Sequence, residues 1–290
     1  MIFEQNGIIP KEIIMKKLIA ILAILAIAAA SAVGLVACKG TDEHTIVVGA
    51  SSTPHAEILA VVKDALLSQG YTLKIVTYDD YVLPNLALEE GSLDANYFQH
   101  TPYLNTFNAQ KGTHLVAVDK IHYEPFGVYG KGVTQADFDT VKTGRRILVP
   151  DDGSNCTRAL FVLQEQGYIT LNADAKATDN LSDKDILDGR GNTVILVKAE
   201  NLAAQLGNAD SGTLAVINGN YALAAGLDVR NALAIENATG EAASLYANVI
   251  AVKQGHQNDA KIQALVTALK SQAVADYIQS HYEGAVRVAF

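Results

Sequence analysis

The chain has 290 residues and carries 22 Lys and Arg against 31 Asp and Glu, a net charge of −9. That length can bury one large core or two lobes. With no basic block anywhere, nucleic acid or an anionic lipid surface is not an expected partner.

The first 44 residues divide into unlike pieces. Residues 1–14 are mixed and carry no export logic, and they read as an over-extended start with Met15 as the true one. From Met15 the text becomes Met-Lys16-Lys17 and then an unbroken apolar run from Leu18 to about Val36. A short basic segment, an Ala-rich apolar segment and a small-residue cleavage site form a secretory signal, here residues 15–37. The run is about the ~20 residues that span a bilayer, so length alone leaves a membrane anchor open. Its ending, Leu35-Val36-Ala37-Cys38, resembles the bacterial lipobox, in which an aliphatic residue, a tolerant position and a small residue precede a lipidated cysteine. The thiol of Cys38 would take a diacylglyceryl group, and two acyl chains suffice for stable anchoring. Residues 38–44 then read as a lipidated tether. Cleavage before Cys38 would remove three bases and two acids and leave 253 residues with net charge −10. It would also leave Cys156 without a partner, so no intrachain disulfide is expected.

From residue 45 short β-rich runs alternate with amphipathic stretches. Strands are predicted at Thr45–Gly49, Thr72–Thr77, Ala95–Phe98 and His114–Val118, separated by helices at Pro54–Leu67, Pro84–Glu90 and Pro102–Gln110. Past Glu124-Pro125 the pattern continues with strands at Phe126–Tyr129, Arg146–Val149, Thr193–Val197 and Leu214–Asn218. The intervening helices are Thr157–Glu165, Asn201–Leu206 and Tyr221–Ala225. A last strand at Tyr246–Val252 precedes two closing helices over about 257–282. Such alternation predicts an α/β architecture with largely parallel sheets. No Pro/Gly/Ser-rich linker interrupts it, so two lobes would be joined by extended connections that act as hinges.

At residues 96–103 stands Asn-Tyr-Phe-Gln-His-Thr-Pro-Tyr. Around it, in order, stand Ser52-Thr-Pro-His-Ala-Glu57, Tyr81-Val-Leu-Pro-Asn85, His122-Tyr-Glu-Pro125, Asn155-x-x-Arg158-Ala-Leu160, Ile217-Asn-Gly-Asn-Tyr-Ala222 and Tyr246-Ala-Asn248. This series resembles the methionine-binding lipoproteins of methionine ABC importers, the NlpA/MetQ group, over essentially all of residues 45–290. The resemblance implies a two-lobed periplasmic-binding-protein fold with residues 45–125 and 246–290 in lobe one and 126–245 in lobe two. The chain would cross near Pro125 and Tyr246, with a ligand cleft between the lobes. It also implies methionine, L- or D-, as ligand, and an importer permease and ATPase as partners. No cofactor, metal or enzymatic activity follows from it.

The residues offer the chemistry such a ligand needs. A carboxylate calls for a planar bidentate donor, which Arg supplies. Arg158 is predicted at the first turn of a helix, where backbone amides add to an anion site, and the resemblance assigns it the carboxylate. Arg145 and Arg146 lack such surroundings and read as solvated. A thioether calls for an apolar, polarizable wall, and the resemblance places Tyr81, Phe98 and Tyr103 there. Asn218 and Asn248 match positions that hydrogen-bond the amino-acid backbone. Asn218 closes the run LAVIN at a strand's C-terminal end, where ligands of open α/β sheets sit; capping the next helix is its alternative role. His100 matches a pocket-lining position, while His55 and His122 read as structural or near the cleft.

Three other readings compete. A transition-metal site could use His55, His100, His122 and Glu124, but no His-x3–5-His spacing is present. A hydrolase could use Cys156 with His100 or His122, provided the thiol's pKa is lowered. Within the binding class, a methionine derivative or a Met-containing dipeptide needs only a slightly larger cleft. Cys156 is expected beside the carboxylate site.

Overall fold

The computed structural model describes residues 42–237 and 241–290, so Cys38 and the signal segment lie outside the described residues. The body from His44 onward holds two main β-sheets, each with its own helices, in a two-lobed arrangement.

In chain order the strands are β1 (Thr45–Ala50), β2 (Thr72–Thr77), β3 (Ala95–His100), β4 (Leu115–Tyr123), β5 (Gly127–Gly130) and β6 (Arg146–Pro150). There follow β7 (Thr170–Leu171), β8 (Ile186–Asp188), β9 (Thr193–Val197), β10 (Leu214–Ile217), β11 (Ala234–Ile235), β12 (Asn248–Lys253) and β13 (Arg287–Val288). The first sheet runs β13-β4-β12-β3-β1-β2 and the second β11-β5-β10-β6-β9, with β7 and β8 forming a small ribbon of their own. The chain leaves the first sheet after β4 and re-enters it as β12.

The expected parallel character holds for only part of each sheet. Strands β2, β1 and β3 run parallel, as do β9, β6 and β10. β12 is antiparallel to both its neighbours, β3 and β4, and β5 is antiparallel to β10 and β11. The reason is topological: β12 arrives from the other lobe rather than by a right-handed helical crossover, the connection that enforces parallel pairing.

The inner strands β1, β6 and β10 are buried on both faces, which is why they read as near-continuous apolar runs, while β2 and β9 at the sheet edges are largely exposed. In β6, Ile147 and Val149 join Phe126, Leu160 and Leu163 on one face. Leu148 points the other way into a cluster with Leu202, Ala215 and Ile217. In the first lobe Ile46, Val48 and Ala50 of β1 pack with Ile58, Leu59, Leu265 and Ile278 from the covering helices. Fully burying such a side chain contributes roughly 1.5–3 kcal/mol.

Several boundaries move. The helix expected at Pro54–Leu67 is a wide turn over Ser52–Ala56 followed by Glu57–Val61 and Lys63–Ser68. β4 extends to Tyr123, carrying His122 to the lobe junction. β12 begins at Asn248, so Tyr246 and Ala247 precede it. The helix Gly153–Glu165 starts four residues before the expected Thr157, because the Asp152 side chain accepts the Asn155 amide and caps it. Arg158 therefore sits in the second turn, away from the free amides of the helix start. Among the described residues no helix is long and apolar enough to cross a membrane.

Candidate ligand-binding cleft

Tyr81, Phe98, His100, Tyr103, Arg158, Asn218 and Asn248, the seven residues singled out in the sequence, line one cavity. The cavity lies where the ends of β3, β10 and β12 meet the start of helix Gly153–Glu165, between the two sheets.

One wall is aromatic. Phe98 is the fourth residue of β3, whose six residues are all buried, and it packs against Tyr103 and Phe107 of helix Thr101–Lys111. Tyr81 lies 5.6 Å from both Phe98 and Tyr103, measured between ring centroids. The polar tips are satisfied by the protein: Tyr103 donates to the Tyr81 carbonyl at 3.0 Å and Tyr81 to Oδ1 of the cavity-lining Asn220 at 2.5 Å. What remains toward the cavity is ring surface.

The opposite wall is a set of polar relays. Asp152 accepts from Asn155 Nδ2 at 3.0 Å. Asn155 Oδ1 in turn accepts from Asn218 Nδ2 at 3.0 Å and from His100 Nε2 at 3.1 Å. His100 Nδ1 accepts the Tyr103 amide. Both His100 nitrogens are thereby engaged, and the ring joins the lobes rather than offering a free group. Burial and the nearby Arg158 charge push His100 down to about 3, so it is neutral at pH 7. Asn218 occupies the cap position of helix Gly219–Ala224 without capping it, and its buried Oδ1 has no partner.

Arg158 is buried and sits 3.9 Å from the Phe126 ring centroid and 4.7 Å from that of Tyr246. Its Nε and Nη2 donate to Glu236, the shortest contact 2.5 Å, and Nη2 also donates to the Glu124 carbonyl at 2.6 Å. Nη1 makes none of these bonds. Glu236 is fixed by Tyr123 Oη at 2.6 Å and the Phe126 amide at 3.1 Å. A buried Arg–carboxylate pair of this kind is costly to break from either side.

Beneath the cavity lies a cluster built on His55 and His122, the two histidines expected to be structural or near the cleft. His122 Nε2 donates to Glu124 Oε1 at 2.7 Å, and Tyr97 donates to His122 Nδ1. His55 Nε2 donates to Asn248 Oδ1 at 3.1 Å and lies 3.4 Å from Glu124 Oε1. Burial pushes His55 down to about 4 and His122 to about 3, and raises the Glu124 carboxyl. His55, His122 and Glu124 are the three members of the rival metal set that meet; His100 is engaged elsewhere. With its oxygen committed to His55, Asn248 offers its NH2 group, a donor.

Glu124 lines the cavity and was missed as a ligand-binding residue, together with Asn155 and Glu236; Asn220 shares the same lining. A signal existed for Glu124, since it closes a His-x-Glu triplet directly before the lobe crossing. Cys156 departs from expectation: it is 1% exposed and packed in the second lobe's core. Burial pushes its thiol up to about 12, opposite to the shift a nucleophile needs. Helix periodicity explains this, because positions 155 and 158 share the cavity-facing side while 156 points inward.

A model of the NlpA lipoprotein family matches residues 46–290. The chain belongs to that family. The Bacillus subtilis methionine-binding lipoprotein MetQ is 36% identical over 243 residues, covering 83% of this chain and 86% of that protein. A nutrient-binding protein from Burkholderia cenocepacia, solved bound to methionine, is 35% identical with a TM-score of 0.77 over 84% of this chain and 100% of its own. An ABC transporter periplasmic substrate-binding protein from Coxiella burnetii is likewise 35% identical, with a TM-score of 0.75 over the same shares. Within the NlpA family, the lobes and cleft of this chain take the fold of substrate-binding proteins.

Proposed function

We propose that this chain is a lipid-anchored extracytoplasmic binding protein that captures free methionine in the cleft and delivers it to an ABC importer. The observation that carries the reading is the division of one cavity into an aromatic wall and a polar one, in a relative of a methionine-bound protein. Tyr81, Phe98 and Tyr103 take the thioether side chain, where sulfur–aromatic contacts each add ~0.3–1.5 kcal/mol beyond burial. Arg158 Nη1 and the Asn248 amide nitrogen take the carboxylate, and Asn218 Oδ1 takes part of the ammonium. Glu236 is the residue that holds Arg158 in position. His100 ties the two lobes across the bound ligand.

In this reading residues 45–125 and 246–290 form lobe one, 126–245 form lobe two, and hinge closure at the two crossings buries the ligand. Cys38 carries the lipid, and the residues after it tether the body near the permease and its ATPase, where a high local concentration favours capture.

Mass spectrometry of small molecules released from the purified chain, followed by a thermal-shift panel of amino acids, tests this directly. Methionine is expected to raise the Tm in proportion to the logarithm of its concentration above Kd. No shift with either enantiomer, alongside a shift with another solute, would replace the ligand.

A further inference from the structure

The proposed lobe division puts residues 222–232 in lobe two, yet their side chains are shared between the cores of both lobes. Ala222, Leu227 and Ala232 pack into the second lobe's cluster with Leu202, Ala215 and Ile217. Val229 belongs instead to the first lobe's cluster with Ile46, Ile58 and Leu265, and Leu223 packs against that same cluster. Val229 is 4% exposed, so lobe one shuts in a side chain whose backbone stands in lobe two. Ala222 and Leu223 are consecutive on helix Gly219–Ala224 and point about 100° apart, which lets one short element face two cores.

A polar fastening lies beside the apolar one. The turn Val229–Asn231 begins at Asp228, whose side chain accepts the Arg230 amide at 2.9 Å. The same carboxylate fixes the Arg230 guanidinium, accepting from Nε at 2.9 Å and from Nη2 at 2.8 Å. Nη1 reaches across and donates to Glu283 of lobe one. Glu283 follows helix Gln272–Tyr282 with a φ of 46°, a left-handed conformation that glycine or asparagine usually supplies at a helix end. Its side chain accounts for a glutamate standing there, since that is what meets Arg230. Leu223, Val229, Arg230 and Glu283 are all outside the cavity lining. A contact made across the lobes is favourable only while they are together, so it weights the closed arrangement over the open one.

We propose that residues 222–232 form a strap that fastens lobe two to lobe one in the closed arrangement, through Leu223 and Val229 in the first lobe's core and Arg230 on Glu283. Side chains that never touch the ligand thereby set how long it stays bound. The inference rests on the reading of the cleft as a methionine site between two lobes and adds a determinant of release outside it. Release requires the lobes to part, and parting must strip Val229 from its apolar surroundings. The four residues are positioning residues, acting on the ligand only through the balance between closed and open lobes.

The test is the rate at which the full chain releases radiolabelled L-methionine into an excess of unlabelled L-methionine. Val229→Ala is expected to speed release about 5-fold, the scale of two buried carbons lost from one arrangement only. Leu223→Ala should act in the same direction and stands in if Val229→Ala does not fold. Val274→Ala is the control. It makes the same truncation in the same cluster, but on helix Gln272–Tyr282, wholly within lobe one. It should lower the Tm and leave release unchanged, a split that a merely structural role for Val229 would not produce. Glu283→Gln should speed release about 2-fold at low salt and abolish its salt dependence, because the Arg230 pair is exposed and screened.

Unchanged release in Val229→Ala alongside a lowered Tm would show that the contact persists in both arrangements, and would overturn the proposal while leaving the methionine reading standing. Equal acceleration in Val274→Ala would do the same. Absence of L-methionine binding to the wild type would overturn the methionine reading, and the strap is then judged on the ligand-free chain. Spin labels at Lys74→Cys in lobe one and Lys184→Cys in lobe two, both exposed, report the distance between lobes, with Cys156 too buried to label. A longer mean distance in Val229→Ala than in Val274→Ala supports the strap, and coincident distributions overturn it.

Discussion

The two walls of the cleft are built by different physics. The aromatic wall comes from neighbouring pieces of one lobe: Tyr81, Phe98 and Tyr103 lie within 23 positions and pack as ordinary hydrophobic core that happens to face a cavity. The polar wall is assembled over long distances. Arg158 meets Glu236 across 78 positions, Asn218 meets Asn155 across 63, and His55 meets Asn248 across 193. The first wall tolerates error, because ring faces have no fixed stoichiometry. The second does not, because each buried donor or acceptor left unmatched costs ~1–3 kcal/mol.

The largest expected break is on the polar side. Arg158→Ala leaves Glu236 buried without its cation and should destabilise the fold by ~3–5 kcal/mol. In the fraction that remains folded, methionine affinity should drop by at least ~2 kcal/mol, measured by calorimetry after denaturant titration has fixed the folded population. An unchanged affinity would remove Arg158 from the site.

Acidification should come next. His55, His100 and His122 have folded pKa values of about 4, 3 and 3, below the unfolded 6.5. Below pH 6.5 the unfolded chain binds protons that the folded chain excludes, so stability is present above that pH and lost as it falls toward 4. Each histidine contributes a slope of up to ~1.4 kcal/mol per pH unit. Asp152 and Glu124, raised by burial, act in the opposite direction, so the measured slope should be positive but below the three-histidine limit. A flat profile between pH 4 and 6.5 would show that these imidazoles are not buried neutral.

Smaller effects separate the walls cleanly. Tyr81→Phe keeps the ring and deletes the hydrogen bond to Asn220, so it should cost ~0.5–1.5 kcal/mol. Tyr81→Ala should additionally lose the preference for a thioether over an isosteric alkyl chain. Asp152→Ala removes a helix cap and the head of the Asn155 relay, at ~0.5–2 kcal/mol in urea titration. Cys156→Ser should alter stability and leave methionine affinity unchanged, because the thiol faces the core.

The same contrast explains what the sequence could reveal. Strands such as Thr72–Thr77 and Thr193–Val197 were legible to the residue because their signal is local composition and period. The aromatic wall was legible for the same reason, helped by family motifs. What the motifs could not convey is pairing. Arg158 looked like a free carboxylate reader at a helix start, whereas the Asp152 cap moves that start back and Glu236 already holds two of its nitrogens. Asn248 is left as a donor only because His55, 193 positions away, takes its oxygen. Helix Gln135–Thr140 is absent from the predicted elements, although its Thr134/Asp137 capping box was a local signal for it. The two-residue strands β11 and β13 carry no periodic signal and depend wholly on their neighbours.

Calorimetric titration of L-methionine into the wild-type chain and into Tyr81→Ala and Arg158→Ala, corrected for folded fraction, tests the two-wall account most directly. The account predicts one saturable site in the wild type and a clear loss of affinity from either wall. Absence of a saturable wild-type signal, or full affinity in either variant, would contradict it.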